Sequence, residues 1–441
     1  MKGLSMVESI NGHYVFGQIY RDLSKEQLEM VFKEANSKKY SLIDIKVRDI
    51  MKIIDKVSNF WLSDNSLYPT VFENLQHIGF SPEMIKLAIT ELCRIFTMDN
   101  LEKRITVEIG DIEVLDNWVG NVRLFPLGVL AHITAGNVFV SAIDSLLCGI
   151  ITKNINIVKT SSKVGNFFGL LWIDTLKKAE KELQMEGLIS NNIAIISASS
   201  EELIEYLNKY TDGVVVWGGY EAIKFYRTNY EPTKRLILYG PKYSIAVIDQ
   251  ESIYQNIDQI CSSLAWDICL WEQRACSSVQ TVYLLGDIDQ QTAQEFCQKL
   301  SQAIQNFQIQ QPELSFDEYT ELFKYHEISI ASQVLGKGKY LERVLLDFDK
   351  YDLFIGPLNR FVCVKVVKNL DQLKQILSKY HDILQSCSLK VKDSKLFCKE
   401  LATCGITRFV EIGKIGFSEV AAPHEGEFIL RNMSKLIYAG L

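Results

Sequence analysis

Apolar positions along the chain fall into two textures. Up to about residue 104 they recur at three- and four-residue spacing, in LSKEQLEMVFKEANS, LIDIKVRDIMKIIDKVSNFW and SPEMIKLAITELCRIF, and this period predicts helices over 23–37, 42–61 and 81–96. Ser24 and Ser81 precede two of these runs, where a hydroxyl caps free amides. From 105 onward, short β-branched runs alternate with longer helical stretches. GVLAHIT (128–134), INIVK (155–159), IAIIS (193–197), GVVVW (213–217) and RLILYG (235–240) read as strands, with helices over 137–151, 164–185, 200–210 and 219–227. Strands this apolar are covered on both faces and the helices between them imply parallel crossovers, so this is a doubly wound α/β sheet with ligands at its strands' C-terminal ends. A second α/β unit follows. Its strands are expected at VQTVYLL (279–285), EISIAS (327–332), FVCVKVV (361–367) and ITRFVEIG (406–413), and its helices near 251–266, 288–306, 370–380 and 390–405. The chain thus divides into a helical N-terminal region (1–104), a Rossmann-like domain (105–243), a second α/β domain (244–412) and a C-terminal segment (413–441), with no Pro/Gly/Ser-rich linker and the domains expected to interleave.

Charge narrows the partners. With 47 Lys and Arg against 54 Asp and Glu the net charge is −7, which argues against a broad nucleic-acid or anionic-membrane surface and for a small-molecule or protein partner. No stretch approaches the ~18 uninterrupted apolar residues of a membrane span, and MKGLSMVESINGHY lacks the apolar core of a signal peptide, so a cytoplasmic location is expected. The ten cysteines form no CxxC pair and read as reduced thiols; the six histidines are isolated, and no metal site is expected.

Neither GxGxxG nor GxxxxGK[ST] occurs, so a nucleotide, if bound, is held another way. Three strand ends are the candidates: Thr134-Ala135-Gly136-Asn137, Lys159-Thr160-Ser161-Ser162 and Trp217-Gly218-Gly219. Each leads toward a helix whose free N-terminal amides can face an anion. Taken singly they read as ordinary strand-to-helix turns, and Asn137 reads equally well as the cap of helix 137–151. Cys276, in WEQRACSS, sits where an amphipathic stretch gives way to the apolar strand, and by itself it reads as a buried structural thiol.

Order and spacing change that. PLGVLAHITAGN, NIVKTSS, VVWGG and WEQRACSS, in this sequence, resemble the aldehyde dehydrogenase superfamily over about 105–441. EQRACSS, the helical N-terminal extension and PHEGEFILRNMSKLIY look most like the LuxC-type acyl-CoA reductases, the fatty acid reductases of luminescence systems. The resemblance implies an aldehyde dehydrogenase-like fold in which 105–243 binds NADP, 244–412 is catalytic and 413–441 returns to the cofactor or oligomerisation region. It implies Cys276 as a nucleophile taking the acyl chain as a thioester, and Asn137 with the Cys276 backbone amide as an oxyanion hole. His424 is a candidate proton donor, with a packed histidine as the alternative. Thr134, Lys159, Ser161, Ser162, Gly218 and Gly219 are the implied cofactor residues. Ser162 stands where NAD-preferring members often carry a glutamate, and with Lys159 it favours NADPH over NADH. The reaction implied is reduction of a fatty acyl-CoA or acyl-protein thioester to a long-chain aldehyde, with an acyl-protein synthetase as partner and self-association.

Three departures from the pattern bear on chemistry. Leu238 replaces the glutamate that activates water in hydrolytic members, which suppresses hydrolysis of an acyl-enzyme. DLFIGP offers Asp352 where the family's glutamate holds the nicotinamide ribose, displaced by one residue, and Ile223 replaces a glycine after Gly219. Two other functions fit the same residues: a CoA-acylating short-chain aldehyde dehydrogenase, and a non-redox acyl-transfer or scaffold protein that keeps the thiol.

Overall fold

The apolar runs build two seven-stranded sheets, one in each of the two units into which the chain divides in this computed structural model. The structure describes residues 12–329, 334–335, 343–348, 350–417 and 419–441. The first unit falls within Met1–Ile78, Lys86–Gly240 and Glu419–Leu441, and the second within Gly79–Ile85 and Pro241–Ser418.

In chain order the first unit carries β1 (His13–Val15), β2 (Gln18–Tyr20), α1 (Lys25–Ser37), α2 (Val47–Ser63), α3 (Tyr68–Leu75), α4 (Pro82–Ile95, its first turn counted in the second unit) and α5 (Met98–Glu108). After these come β3 (Val122–Pro126), β4 (Val129–Ile133), α6 (Ser141–Ile151), β5 (Ile155–Lys159), α7 (Phe167–Glu182), β6 (Ile193–Ile196), α8 (Ser200–Tyr210), β7 (Gly213–Trp217), α9 (Tyr220–Asn229) and β8 (Arg235–Tyr239). The sheet order is β2-β1-β6-β5-β4-β7-β8, parallel from β6 to β8. All five residues of β4 are buried. Val129, Ala131 and Ile133 pack with α1, α8 and α9, while His132 faces the other side and meets Ser145 of α6. The N-terminal region is not wholly helical. Phe16 and Gly17, both at positive φ, close a hairpin whose strand β1 joins β6, and strands of three residues are too short to register as an alternating pattern. Farther along, α2 packs on α7 through Trp61, stacked on Trp172 at 5.9 Å with its indole N–H on Thr175 at 3.1 Å.

The second unit contains β9 (Tyr243–Asp249), α10 (Gln250–Cys269), β10 (Val279–Leu285), α11 (Gln290–Gln305), α12 (Phe316–Ser329), β11 (Val334–Leu335), β12 (Val344–Asp347), β13 (Val362–Val367), α13 (Leu370–Leu377), β14 (Leu384–Lys390), α14 (Ser394–Ala402) and β15 (Arg408–Glu411). Its order is β11-β12-β13-β10-β9-β14-β15, parallel except for β11. The expected strand at 327–332 is corrected: 327–329 close α12, because a short apolar run at the end of a helix carries no period of its own, and 330–332 lie outside the described residues. The chain then returns to the first unit, where α15 (Ile429–Asn432) leads to β16 (Ser434–Tyr438), paired antiparallel with β3 in a separate two-stranded sheet. No helix among the described residues is long and apolar enough to cross a membrane.

Candidate active site

Eight of the nine residues singled out in the sequence lie in the first unit, and seven of them are at the C-terminal edge of its parallel sheet. Thr134 follows β4, and its backbone N–H and hydroxyl both donate to the Lys159 carbonyl, at 3.0 and 3.2 Å, which ties the ends of β4 and β5 together. Gly136 brings the two loops close: a Cβ there would come 2.7 Å from Ser161 Oγ, and the Ser161 side chain would have to shift. Asn137 is exposed and does not cap α6, which starts at Ser141 with Val140 as its cap residue. The turn runs three residues longer than the apolar pattern suggests, and the capping reading of Asn137 is overturned.

Lys159 ends β5 half-buried. Burial lowers its pKa below the ordinary lysine value, with Glu201 acting the other way. Among the described residues no hydrogen bond or ion pair holds its ammonium. Beyond it the Thr160 hydroxyl donates to Asn166 Oδ1 at 2.5 Å, Ser161 Oγ accepts from the Val164 N–H at 3.3 Å and Ser162 is exposed. Gly218 and Gly219 link β7 to α9 and do different work. A Cβ on Gly218 would come 2.8 Å from that of Ala222, whereas one on Gly219 would meet nothing within 4 Å. Gly219 is also the cap residue of α9 and offers that helix no side-chain acceptor.

Trp217, at the end of β7, anchors an aromatic cluster on the same edge. It stacks on Tyr239 at 4.1 Å, and His424 meets both rings edge-on, at 5.0 and 4.9 Å. Burial pushes the Tyr239 hydroxyl well above the usual phenol range. The Trp217 indole N–H donates to Ser145 Oγ at 3.0 Å, and Ser145 lies 2.7 Å from His132 Nδ1. Asn156 presents Oδ1 to His132 Nε2 at 3.0 Å while its amide N–H₂ donates to the Asn154 carbonyl. The network therefore puts the His132 proton on Nε2, and the Ser145 hydroxyl donates to Nδ1. Burial pushes His132 down to about 4, so it is neutral around pH 7.

Cys276 belongs to the second unit. Eight of the ten cysteines are buried; only Cys276 and Cys398 are partly exposed, and a nucleophile has to be reachable. Burial raises the thiols of Cys148, Cys269 and Cys363, among others. The turn before Cys276 has an uncommon backbone. Trp271, Glu272 and Gln273, none a glycine, are all left-handed, with φ of 60°, 49° and 60°. Such a conformation costs about 1–2 kcal/mol per residue and persists only where its surroundings over-determine it.

Each side chain of that turn is committed. The Trp271 indole N–H donates to the Gly416 carbonyl at 2.8 Å. Glu272 receives Arg360 Nε at 2.9 Å and Nη2 at 2.7 Å; burial raises its carboxyl above the ordinary range, and these two bonds oppose the rise. Gln273 Nε2 donates to the Val279 and Phe361 carbonyls, both at 2.7 Å. Arg274 pairs with Glu318 at 2.8 Å, donates to the Gly79 carbonyl and covers the Phe80 ring. The Ser244 hydroxyl fixes the Cys276 carbonyl at 2.8 Å. Asp352 is exposed and held by Lys379, whose ammonium lowers its carboxyl below the usual range. Leu238 lies on the edge strand β8, partly buried against the first core.

Glu272, Gln273, Arg360 and Ser244 were not legible as site residues. The available signal was small: single charges, Glu272 and Arg360, beside otherwise apolar runs.

A family model described as acyl-CoA reductase (LuxC) matches residues 42–436. Curated relatives called long-chain acyl-protein thioester reductase include one from Vibrio harveyi, 26% identical over 414 residues, covering 90% of this chain and 82% of its own length. Another, from Photobacterium phosphoreum, is 27% identical over 407 residues, covering 89% and 81%. Among solved structures, an oxidoreductase from Marinobacter aquaeolei superposes with a TM-score of 0.74 at 12% identity, covering 100% of this chain and 99% of its own. An NAD-dependent benzaldehyde dehydrogenase from Corynebacterium glutamicum gives 0.72 at 13% identity over 100% of both chains, the same fold.

Proposed function

The chain belongs to the acyl-CoA reductase (LuxC) family and is a thioester-reducing oxidoreductase with the aldehyde dehydrogenase fold; on that premise we propose that it reduces a long-chain fatty acyl thioester to the free aldehyde with NADPH, through an acyl-enzyme on Cys276. The observation that carries the reading is Cys276 itself, a partly exposed thiol at the end of a strained turn in a chain whose other cysteines are nearly all buried. Its thiolate attacks the acyl carbonyl carbon. The bond to the donor sulfur breaks as the new thioester forms, and the donor leaves as a thiol. A nicotinamide cofactor supplies, when bound, the hydride that reduces this thioester. The resulting thiohemiacetal loses its carbon–sulfur bond, which returns the Cys276 thiol and frees the aldehyde. Asn137 is one donor to the oxyanion, together with the Cys276 backbone amide. His424, whose Nε2 meets Glu425 at 3.8 Å, exchanges the proton with the departing group.

The first sheet's edge suits a dinucleotide. The Lys159 ammonium has no protein partner among the described residues, the approach over Gly219 is open and the first turn of α9 carries no capping side chain. Lys159 and Ser162 tolerate a 2′-phosphate, which supports NADPH over NADH; Thr134, Ser161 and Gly218 shape the loops that would hold it. The name shared by the relatives, long-chain acyl-protein thioester reductase, supports a long chain delivered on protein. An acyl-protein synthetase as partner and self-association are proposed with it from the resemblance alone. Leu238 leaves no carboxylate to activate water against the acyl-enzyme.

The test is intact-mass analysis after incubation with tetradecanoyl-CoA. The native chain should gain one acyl mass, lost again on adding NADPH with aldehyde released, and Cys276→Ala should gain none. Equal uptake by both chains would overturn the assignment.

A further inference from the structure

The cysteine turn has a counterpart 88 residues on. Leu358, Asn359 and Arg360, again without a glycine, have φ of 60°, 55° and 67°. The two left-handed runs are joined by side chains. Glu272, the middle residue of the first, takes two bonds from Arg360, the last of the second. Gln273 donates to the carbonyl of Phe361, the residue after the second run. Arg360 also donates to the Ile309 carbonyl at 3.0 Å and lies over the Phe307 ring. Both charged side chains are almost wholly buried, at 2% and 5% exposure.

Strand association does not need this arrangement. β10 and β13 are already paired in parallel from Thr281 with Cys363 to Leu285 with Val367, C-terminal to both runs. A buried ion pair is also a poor source of stability, since packed apolar residues of similar volume serve as well or better. What a bidentate guanidinium–carboxylate pair supplies is geometry, two parallel bonds in one plane. With Ser244 holding the Cys276 carbonyl and Arg274 held by Gly79 and Glu318, the turn is fixed at both ends.

We infer that the Glu272–Arg360 pair is a positioning device for Cys276: it locks two left-handed backbone runs together so that the turn presents the thiol and its backbone amide to an acyl carbonyl in one orientation. The inference rests on the reading of Cys276 as the nucleophile.

The test uses the full chain and two variants. Glu272→Met/Arg360→Leu removes both charges of the pair at once, so neither is left buried without the other; Arg360→Lys keeps the charge with a single donor group. Three quantities are measured: the melting temperature, the single-turnover rate of Cys276 acylation by tetradecanoyl-CoA, and the rate of Cys276 alkylation by iodoacetamide, both rates mapped to the residue by mass spectrometry. Alkylation depends on exposure and thiolate fraction, whereas acylation also needs an aligned backbone amide. The double variant should melt close to the native chain and acylate ~100-fold more slowly, the scale of a small misplacement of reacting groups. Its alkylation should stay within about threefold of native. Arg360→Lys should fall between the two in acylation. If acylation in the folded double variant matches native, or if acylation and alkylation fall together, the positioning role is overturned. If the double variant does not fold, Arg360→Lys decides alone by the same split, slower acylation at unchanged alkylation supporting the inference and unchanged acylation refuting it. A native chain that takes up no acyl group at Cys276 refutes the nucleophile reading first, and that result is read from the native arm without any variant.

Discussion

The loops at the edge of the first sheet and the turn before Cys276 are built on opposite principles. In the stretches 134–140, 160–166 and 217–219 every residue except Gly165 has an ordinary φ, and beside them the Lys159 ammonium has no hydrogen-bond or ion-pair partner among the described residues. In 271–274 the backbone is left-handed at three successive residues, and each side chain is bonded into the second unit. The first arrangement suits a ligand that arrives and leaves, because the groups that hold it must otherwise face water. The second suits an atom that must not move. Differential binding of a transition state depends on fixed donors, and that fixity is obtained here from strain balanced by buried bonds.

The contrast breaks most easily at Asn137. If its amide serves the oxyanion, Asn137→Ala should lower kcat by ~10²–10³-fold with little change in KM for the acyl thioester. Steady-state kinetics with tetradecanoyl-CoA and NADPH measure this, and a change confined to KM would instead make Asn137 a binding residue of the cofactor edge. A smaller effect is expected at Lys159. Replacement by Met should weaken NADPH ~10-fold or more, the scale of one charge-assisted hydrogen bond, and should weaken NADH less. Cofactor fluorescence titration reads both. Equal losses for the two nucleotides would mean that Lys159 does not meet a 2′-phosphate.

How much of this was legible in the sequence follows the same division. β4, β5 and β7 are mostly buried and rich in Val, Ile and Leu, so their ends, and with them Thr134, Lys159 and Gly218, were found from the apolar pattern alone. β14 was missed because LQSCSLK buries Ser386 and Ser388, small hydroxyls that read as polar while occupying interior positions. Cys276 stood out only through the order of motifs around it. The clasp was out of reach, since Glu272 and Arg360 are far apart in sequence and meet through left-handed backbone that no local preference favours.

The smallest expected effect sets one buried titratable group of each unit against the other. His132 is held near 4, below its unfolded value of about 6.5, so the unfolded chain binds its proton first; the stability it contributes is present above pH ~6.5 and is lost as pH falls toward 4. Asp267 accepts the Gly413 and Ile415 N–H groups, yet burial raises its carboxyl to about 6. Here the folded chain binds the proton first, so its contribution is fully present below pH ~3.8 and is lost as pH rises through 6. From pH 7 to 5.5 each group shifts stability by about 1 kcal/mol, in opposite directions, and the native chain should show little net slope from the pair. Removing either should expose the other. Relative to native, His132→Gln should become more stable as the pH falls over that range and Asp267→Asn less stable, measured as unfolding free energies in urea at each pH. A variant whose slope matches the native chain's would mean that the group it removes titrates at its ordinary value in the folded chain. A separate loss of activity in His132→Gln at constant stability would locate the effect in Trp217, which His132 reaches through Ser145.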